Sequence, residues 1–311
     1  MTSVRLVLVL SENWTIVGGC DLPRLVDIAA QAEDAGFDGV MLSEHVVLGR
    51  GADADGVPEN PREYALPGNQ DPSTPWPSSL VLLSAIAAAT SRLRLIAGAV
   101  IAPLRHPLAL AKDLATLDLV SGGRLIVQPT VSWHRAEYEA LGVPFEERGQ
   151  RLDEHLAVWR RAWEPGPVSF EGAFFRFSSV FVEPKPFGPA GPPLWFGGER
   201  LHDRLVHRIV EHGNGFNPLG PPSSGDLDRL ARAMAEAGRD IAGLELVGGT
   251  RASFAGPDDL GDLGEALSTV PGQVDRGFTT ICVKPSQFID DADHLPSFCR
   301  EVVERVAALL G

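Results

Sequence analysis

A glutamate and a histidine stand side by side where an apolar segment ends. Glu44 and His45 directly follow residues 37–43, a run that is typical of a buried strand. Histidine exchanges a proton near neutral pH, so a histidine beside a carboxylate could shuttle a proton or hydrogen-bond the ring of a cofactor. A histidine at a strand end could equally serve the structure alone, and these residues leave both interpretations open.

Two glycines follow another short apolar segment. Gly197, Gly198 and then Glu199 come after residues 194–196 and before a helical pattern that runs to His212. Residues without side chains let backbone N–H groups and the helix dipole approach a phosphate, so this loop is a candidate anion site. An ordinary tight turn would use the same two glycines, and that alternative also stays open.

Aromatic residues and further histidines could add to a site. Trp14, Trp133 and Trp195 could line an aromatic pocket, although tryptophan is as often a core residue. The histidines between residues 202 and 212 recur at helical spacing, which is typical of a helix surface. Since no carboxylate spacing completes a ligand set with them, we predict no metal site.

The stretch from residue 93 to residue 142 predicts how such residues are positioned. An apolar run over residues 93–102 is followed by a helical pattern that begins near Pro107 and stops at residues 121–123, Ser-Gly-Gly. A second apolar run begins at once, at residues 124–127. Strand, helix and strand with short connections indicate two parallel strands joined by a right-handed crossover.

The same alternation runs through the whole chain and predicts eight strands, nearly all separated by helices. We therefore predict an α/β fold, a single (β/α)8 TIM-barrel-like domain over residues 1–311, with a β-hairpin inserted at residues 168–182. The competing doubly wound sheet is disfavoured because Ser11-Glu12-Asn13, and no G-x-G-x-x-G, follows the first strand. The predicted strands are residues 4–10, 37–43, 93–102, 124–127, 194–196, 215–217, 244–252 and 279–283.

Two further segments stand out from this alternation. Residues 49–77 are rich in Gly, Pro, Asp and Asn without periodicity, which predicts a long irregular loop. Loops of this length inside a domain are usually lids or binding segments. Residues 138–163 predict one helix with a charged outer face.

Composition limits the classes of partner. The net charge is −14 in 311 residues, which argues against nucleic acid and anionic membranes because both would be repelled. The three cysteines are too few and too scattered for a disulfide framework or a zinc site. No apolar run approaches the ~20 residues that span a bilayer, and no signal peptide is evident, so we expect a cytoplasmic protein.

Several segments in sequence order resemble the luciferase-like monooxygenase superfamily, and within it the actinobacterial deazaflavin-dependent oxidoreductase branch. The segments that carry this resemblance are AEDAGFDGVMLSEHVVL (residues 32–48), LRLIAGAVIAPLRHPLALAKDLATLDLVSGGRL (93–125), WHRAEYEALGVPFEERGQRLDE (133–154), PKPFGPAGPPLWFGG (184–198) and HGNGFNP (212–218).

The resemblance implies a barrel that forms a homodimer and holds coenzyme F420, which we favour, or FMN at its C-terminal face. It implies catalytic roles for Glu44 and His45, with His45 as the proton donor or ring contact. It also implies a non-prolyl cis peptide at Ala99–Val100 that backs the ring. The cofactor-binding residues that it implies are Gly98, Ala99, Val100, Gln128, Thr130, Trp133, Gly197, Gly198 and Glu199.

The fourth strand departs from the family pattern. Relatives typically end it with G-x-G-x-G-W, whereas residues 128–133 read QPTVSW, with every glycine replaced. Side chains there would intrude about where the ring or its tail should pass, and Pro129 removes an N–H donor. Either the cofactor sits differently, or the substrate pocket is remodelled, or cofactor binding is weakened or lost.

The leading hypothesis is an oxidoreductase, a reductase or a monooxygenase, that uses a bound deazaflavin or flavin for hydride transfer to or from a small organic substrate. His45 would assist proton transfer. The alternative is a barrel that has lost its cofactor and serves as a non-redox binding or scaffold protein. A metal-dependent hydrolase is disfavoured because no H-x-H pair follows the first strand.

Overall fold

Eight parallel strands surround the core in the computed structural model, which describes residues 4–311. Residues 1–3, which the predicted domain includes, lie outside the described part. The sheet order is β4-β3-β2-β1-β10-β9-β8-β7, and β5 and β6 form a separate antiparallel hairpin. The strands are β1 (Arg5–Val9), β2 (Gly39–Leu42), β3 (Arg94–Ile101), β4 (Leu125–Thr130), β5 (Val168–Glu171), β6 (Arg176–Val180), β7 (Trp195–Phe196), β8 (Gly215–Phe216), β9 (Glu245–Gly249) and β10 (Phe278–Val283).

The two edges of the eight-stranded sheet meet beside Val127. This residue of β4 forms a parallel bridge with Leu194, just before β7, and its N–H donates to the carbonyl of Pro193 at 3.0 Å. The sheet is therefore a nearly closed barrel. The predicted (β/α)8 architecture with an inserted hairpin is confirmed.

Helices cover the outside of the barrel and separate most strands. The first shows why the sequence starts and stops where it does: the Asp21 side chain accepts from the N–H of Arg24, and Gly36 ends the helix with φ +101°. The helices are α1 (Leu22–Ala35), α2 (Ser79–Ala89), α3 (Pro107–Val120), α4 (Arg135–Ala140), α5 (Arg148–Ala162), α6 (Asp203–His212), α7 (Ser224–Glu236), α8 (Leu263–Leu267), α9 (Val270–Asp275) and α10 (Leu295–Leu310). Among residues 4–311, none of the helices is both long and apolar enough to cross a membrane.

Two predicted boundaries are wrong. The helix predicted over residues 138–163 is two helices, because Gly142 takes φ +68° after α4 and Pro144 stands before α5. The fourth strand continues beyond residue 127, since Pro129 and Thr130 still pair with Val100 and Ile101 of β3. Gln128 and Thr130 are therefore strand residues.

The barrel interior is filled by side chains and closed at its amino end. The guanidinium of Arg94 forms two hydrogen bonds with the Glu245 carboxylate, at 2.7 and 2.6 Å, and lies 5.5 Å from the ring centre of Trp195. The candidate site residues stand at the opposite end, where the strands finish. The inner cluster consists of Val7, Val9, Met41, Ile96, Ile126, Trp195, Val247 and Cys282.

Candidate active site

Glu44 ties the carboxyl end of β2 to its neighbours. Its Oε1 accepts from the N–H of Ile101 at 2.9 Å and from Nη1 of Arg105 at 2.7 Å. Its Oε2 accepts from Nη2 of Arg105 and from the hydroxyl of Ser79, both at 3.0 Å. Both oxygens of this buried carboxylate are thus engaged, which suits a residue that fixes the backbone before His45. The catalytic assignment of Glu44 stays a prediction.

His45 is paired with a carboxylate from a distant part of the chain. Its Nδ1 lies 3.4 Å from Oε2 of Glu137, a fully buried residue of α4. The other oxygen of Glu137 accepts from the N–H groups of Val46 and Val47 at 2.6 and 3.4 Å, and Ser132 donates to Oε2 at 3.0 Å. One carboxylate therefore holds both the imidazole and the backbone that follows it.

The ionisation of Glu137 decides which nitrogen of His45 carries a proton. Burial alone would raise the pKa of Glu137, but hydrogen bonds from His45, Val46 and Ser132 outweigh burial and lower it. Because an ionised carboxylate only accepts, Nδ1 of His45 must be the donor. Within residues 4–311, Nε2 of His45 has no hydrogen-bond partner, so it is the atom left for a ligand.

Aromatic rings surround His45. Trp76 and Trp133 approach its ring edge-on, with centroid distances of 5.1 and 6.0 Å. The indole N–H of Trp76 is buried and has no acceptor among the described residues. His134 accepts from the N–H of Gly49 at 2.8 Å, and burial lowers its pKa, so it is a neutral support for the chain after His45.

The bulge expected in β3 is present, but its cis peptide is one residue earlier than the resemblance implied. The cis bond joins Gly98 to Ala99, not Ala99 to Val100. The register explains the shift: Gly98 pairs with Gln128 and Val100 pairs with Pro129, so Ala99 is the extra residue of the bulge.

Gln128 faces the barrel mouth from β4. In a strand its side chain shares the face of Ile126, which belongs to the inner cluster. Its Oε1 accepts from Nδ2 of Asn217, which follows β8, at 2.8 Å. This pair fills the side of the mouth where the family pattern would have glycine. Thr130 and Trp133 are half-buried farther along the same segment.

The Gly197–Gly198–Glu199 loop connects β7 to α6. A Cβ atom on Gly197 would lie 1.9 Å from the carbonyl oxygen of Asn217, so close packing against the chain after β8 requires glycine there. Gly198 has ordinary space, and Glu199 is exposed. Phosphate binding by this loop stays a prediction.

The long loop between β2 and α2 lies across the mouth. It is irregular, as predicted, and we call its residues 60–64 the mouth strap. The strap is held by side chains around it: Asn60 donates to the carbonyls of Gly256 and Asp259 at 3.0 and 2.9 Å, and Lys284 donates to the carbonyl of Glu63 at 2.9 Å. Tyr64 packs against the inner cluster. A lid function of this loop stays a prediction.

Two charged residues of the mouth were not among the predicted site residues. Glu12 follows β1 with φ +56°, and Lys284 follows β10 and is fully buried. Burial raises the pKa of Glu12, opposed by Lys284 and His45, and burial lowers the pKa of Lys284, opposed by Glu12. Both stand at strand ends, where the rule that locates His45 also points, although the sequence assigns neither of them a role. Glu137 and Tyr64 carried no such signal.

The described residues also bear on a metal site. In the range 4–311, no group of three or more His, Cys, Asp or Glu side chains is placed to hold a metal ion.

The family follows from comparison with known sequences. Residues 5–259 match the family described as luciferase-like monooxygenase, which is most of the chain. The chain belongs to the luciferase-like monooxygenase family. This confirms the resemblance seen in the sequence.

Two relatives illustrate the range within this family. The chain is 31% identical over 174 residues to the FMNH(2)-dependent dimethylsulfone monooxygenase of Pseudomonas putida, covering 55% of this chain and 42% of that protein. It is 34% identical over 171 residues to an uncharacterized protein of Mycobacterium tuberculosis (strain ATCC 25618 / H37Rv), covering 53% and 57%. The mycobacterial match agrees with the actinobacterial branch. In both cases the match spans less than two thirds of the relative.

Solved structures share the fold of this family member over nearly its whole length. A monooxygenase from Streptomyces bottropensis aligns with a TM-score of 0.70 at 21% identity, covering 99% of this chain and 100% of that chain. The coenzyme F420 dependent tetrahydromethanopterin reductase from Methanopyrus kandleri aligns with a TM-score of 0.71 at 16% identity, covering 98% and 99%. Since an FMNH(2)-dependent monooxygenase matches in sequence and a coenzyme F420 dependent reductase shares the fold, the fold does not choose between the cofactors.

Proposed function

We propose that this luciferase-like protein is an oxidoreductase that binds coenzyme F420 or FMN in the barrel mouth and transfers hydride to or from a small organic substrate. The observation that carries the proposal is the His45–Glu137 pair, in which a buried carboxylate fixes Nδ1 and leaves Nε2 of His45 available. A histidine held in one tautomer by a carboxylate is a general acid or base whose reacting nitrogen is defined.

The residues around His45 fit the polar edge and the flat faces of such a ring. The buried indole N–H of Trp76 lacks an acceptor, and Nε2 of His45 lacks a partner, so a ring carrying carbonyl oxygens and nitrogens would satisfy both. The Gly98–Ala99–Val100 bulge would back the ring, with Gln128, Thr130 and Trp133 at its edge. Residues 197–199 would hold the phosphate. When bound, the cofactor supplies the hydride chemistry.

The protein residues supply position and the proton. Glu137 orients His45 and fixes its Nδ1 as the donor, so His45 Nε2 can give a proton to the substrate or take one from it. Glu44 fixes the backbone before His45 through its pair with Arg105. The mouth strap covers the inner end of the site and excludes water from it.

The choice between the two cofactors rests on similarity. The actinobacterial branch favours F420, whereas the P. putida relative is FMNH(2)-dependent. We favour F420. Titration of purified protein with each cofactor, followed by absorbance and fluorescence, tests the choice: we expect F420 to bind at low micromolar concentration and more tightly than FMN. Tight binding of FMN alone would reverse the preference.

A non-redox binding protein is the second candidate, and the Gln128–Asn217 pair favours it. That pair occupies the side of the mouth where the family pattern places glycine. Failure of both cofactors to bind at high micromolar concentration would support this candidate and contradict the first. A homodimer and a cytoplasmic location are also proposals; sedimentation analysis tests the dimer.

A further inference from the structure

Three cationic residues of the mouth have no carboxylate partner, and two of them, Lys284 and Arg251, lie against the same ring, that of Tyr64. Arg62 comes from the mouth strap, Arg251 follows β9 and Lys284 follows β10. Among residues 4–311, no carboxylate oxygen lies within 4.0 Å of the charged nitrogens of any of the three. In a protein with a net charge of −14, unpaired cations at one place are a distinctive local feature.

Lys284 is the most constrained of them. Its side chain is 0% exposed, and its ammonium donates to one acceptor, the carbonyl of Glu63, at 2.9 Å. An ammonium has three N–H donors, so two remain without an acceptor among the described residues. A buried charge is unfavourable unless it is paired and hydrogen-bonded, so this group has unused capacity for an anion.

The ring of Tyr64 lies within cation–π distance of both Lys284 and Arg251. Nζ of Lys284 lies 5.1 Å from the ring centre of Tyr64, and the guanidinium carbon of Arg251 lies 5.9 Å from it. Cation–π contact stabilises such charges only in part. Arg62, two residues before Tyr64, adds a buried Nε that has no acceptor within the described range.

Glu12, which follows β1, does not neutralise Lys284 by contact. The two residues form no ion pair within 4.0 Å in the described structure, although each influences the pKa of the other. Burial raises the pKa of Glu12 and lowers that of Lys284, and each residue opposes the shift of the other.

We propose that Lys284, Arg251 and Arg62 bind an oxyanion of the substrate, a carboxylate or a phosphate, beside the ring of Tyr64. This deepens the proposed function, on which it rests, by giving the small organic substrate an acidic group. Lys284 contributes a point charge with two spare donors, and the two arginines contribute planar donors suited to oxyanions.

The test is isothermal titration calorimetry on the full-length protein with three probes of similar shape: benzoate, phenyl phosphate and the neutral benzyl alcohol. We expect one of the two anions to bind at least tenfold more tightly than benzyl alcohol. The stronger anion identifies the oxyanion as a carboxylate or a phosphate. Lys284→Met should weaken the binding of that anion at least tenfold, and Arg251→Gln about threefold.

The control is Lys112→Met, which removes an exposed lysine on the outside of α3 and should leave binding unchanged. Arg251 is exposed, so Arg251→Gln keeps the test informative if Lys284→Met fails to fold. Equal binding of all three probes, absence of binding, or anion binding unaffected in both variants overturns the proposal. Cofactor titration of the same samples separates this failure from failure of the proposed function.

Discussion

Replacing Glu137 by glutamine should move a proton from one nitrogen of His45 to the other. The amide oxygen must take the place of Oε1, because the N–H groups of Val46 and Val47 can only donate. The amide nitrogen then takes the place of Oε2, 3.4 Å from Nδ1 of His45, and it too is a donor. Nδ1 must therefore become an acceptor, and the proton of neutral His45 is expected on Nε2.

The change should also lower stability by an amount that the hydrogen bonds define. A hydrogen bond to a charged group contributes about 1.5–3 kcal/mol and a neutral one about 0.5–1.5 kcal/mol. Two backbone N–H groups lose a charged acceptor in Glu137→Gln, so we expect a loss of about 2–3 kcal/mol in the free energy of unfolding at pH 7. Activity should fall by about 10²–10⁴-fold, because the reacting nitrogen is in the wrong protonation state.

The pH dependence of the stability difference has a definite sign. The pKa of Glu137 is lowered from its ordinary value of 4.5, so its contribution is fully present above pH 4.5. The contribution is lost as the pH falls through the lower folded-state pKa. Urea unfolding should thus show the largest difference between wild type and Glu137→Gln at pH 6–8, shrinking below pH 4.5.

Nitrogen-15 NMR of labelled histidine reads the tautomer directly and requires no cofactor. His45→Asn assigns the His45 signals. Glu139→Gln, on the exposed side of α4, is the matched control and should leave them unchanged. If His45 keeps its proton on Nδ1 in Glu137→Gln, the pairing inferred from the structure is refuted.

Three further predictions concern stability and are checked by urea unfolding. Glu44→Gln should cost about 3–5 kcal/mol at pH 7, because it removes the buried carboxylate that pairs with Arg105. Glu147→Gln, at the more exposed pair with Arg151, should cost less than about 1 kcal/mol. Equal losses in the two variants would contradict this. Gly197→Ala should cost about 1–3 kcal/mol or more, because the added methyl group overlaps the Asn217 carbonyl. Gly188→Ala, where the added methyl group has open space, should cost about 0.5 kcal/mol or less. An unchanged stability in Gly197→Ala would contradict the close packing. Burial would raise the pKa of Glu33, but hydrogen bonds from the N–H groups of residues 91–93 lower it to about 2. Glu33→Gln should therefore remove a contribution to the free energy of unfolding that is present above pH 4.5 and is lost toward pH 2. Free energies of unfolding of wild type and Glu33→Gln that run parallel from pH 7 to pH 2 would contradict this.

The strands could be predicted because buried parallel strands are short continuous apolar runs. Residues 93–102 and 279–283 are such runs and correspond to β3 and β10. The break between α4 and α5 is not predicted by the periodicity, although Gly142 and Pro144 mark it in the sequence. The apolar and charged periodicity on both sides of the break outweighed two local stop signals.

The candidate site was predictable only where it follows strand ends. That rule placed His45, Gln128 and Gly197 at one end of the barrel, because the carboxyl ends of parallel strands share a face. It could not find Glu137, a helix residue 92 positions from His45, since no local pattern encodes that contact. Tyr64 lies in a segment without periodicity, and its packing against the inner cluster depends on how the whole loop folds.

The changes in β4 and the mouth strap act on different sides of the same opening. Gln128 and Asn217 fill the side between β4 and β8, and Tyr64, next to Lys284 and Arg251, covers the side of β9 and β10. Around the barrel this leaves the ends of β1, β2 and β3, where Glu12, His45 and the bulge lie. Under the proposed function, a planar ring therefore stands against the β3 bulge and beside His45. A ring in that position meets β4 only at its edge, so we expect the loss of the family glycines there to be compatible with cofactor binding.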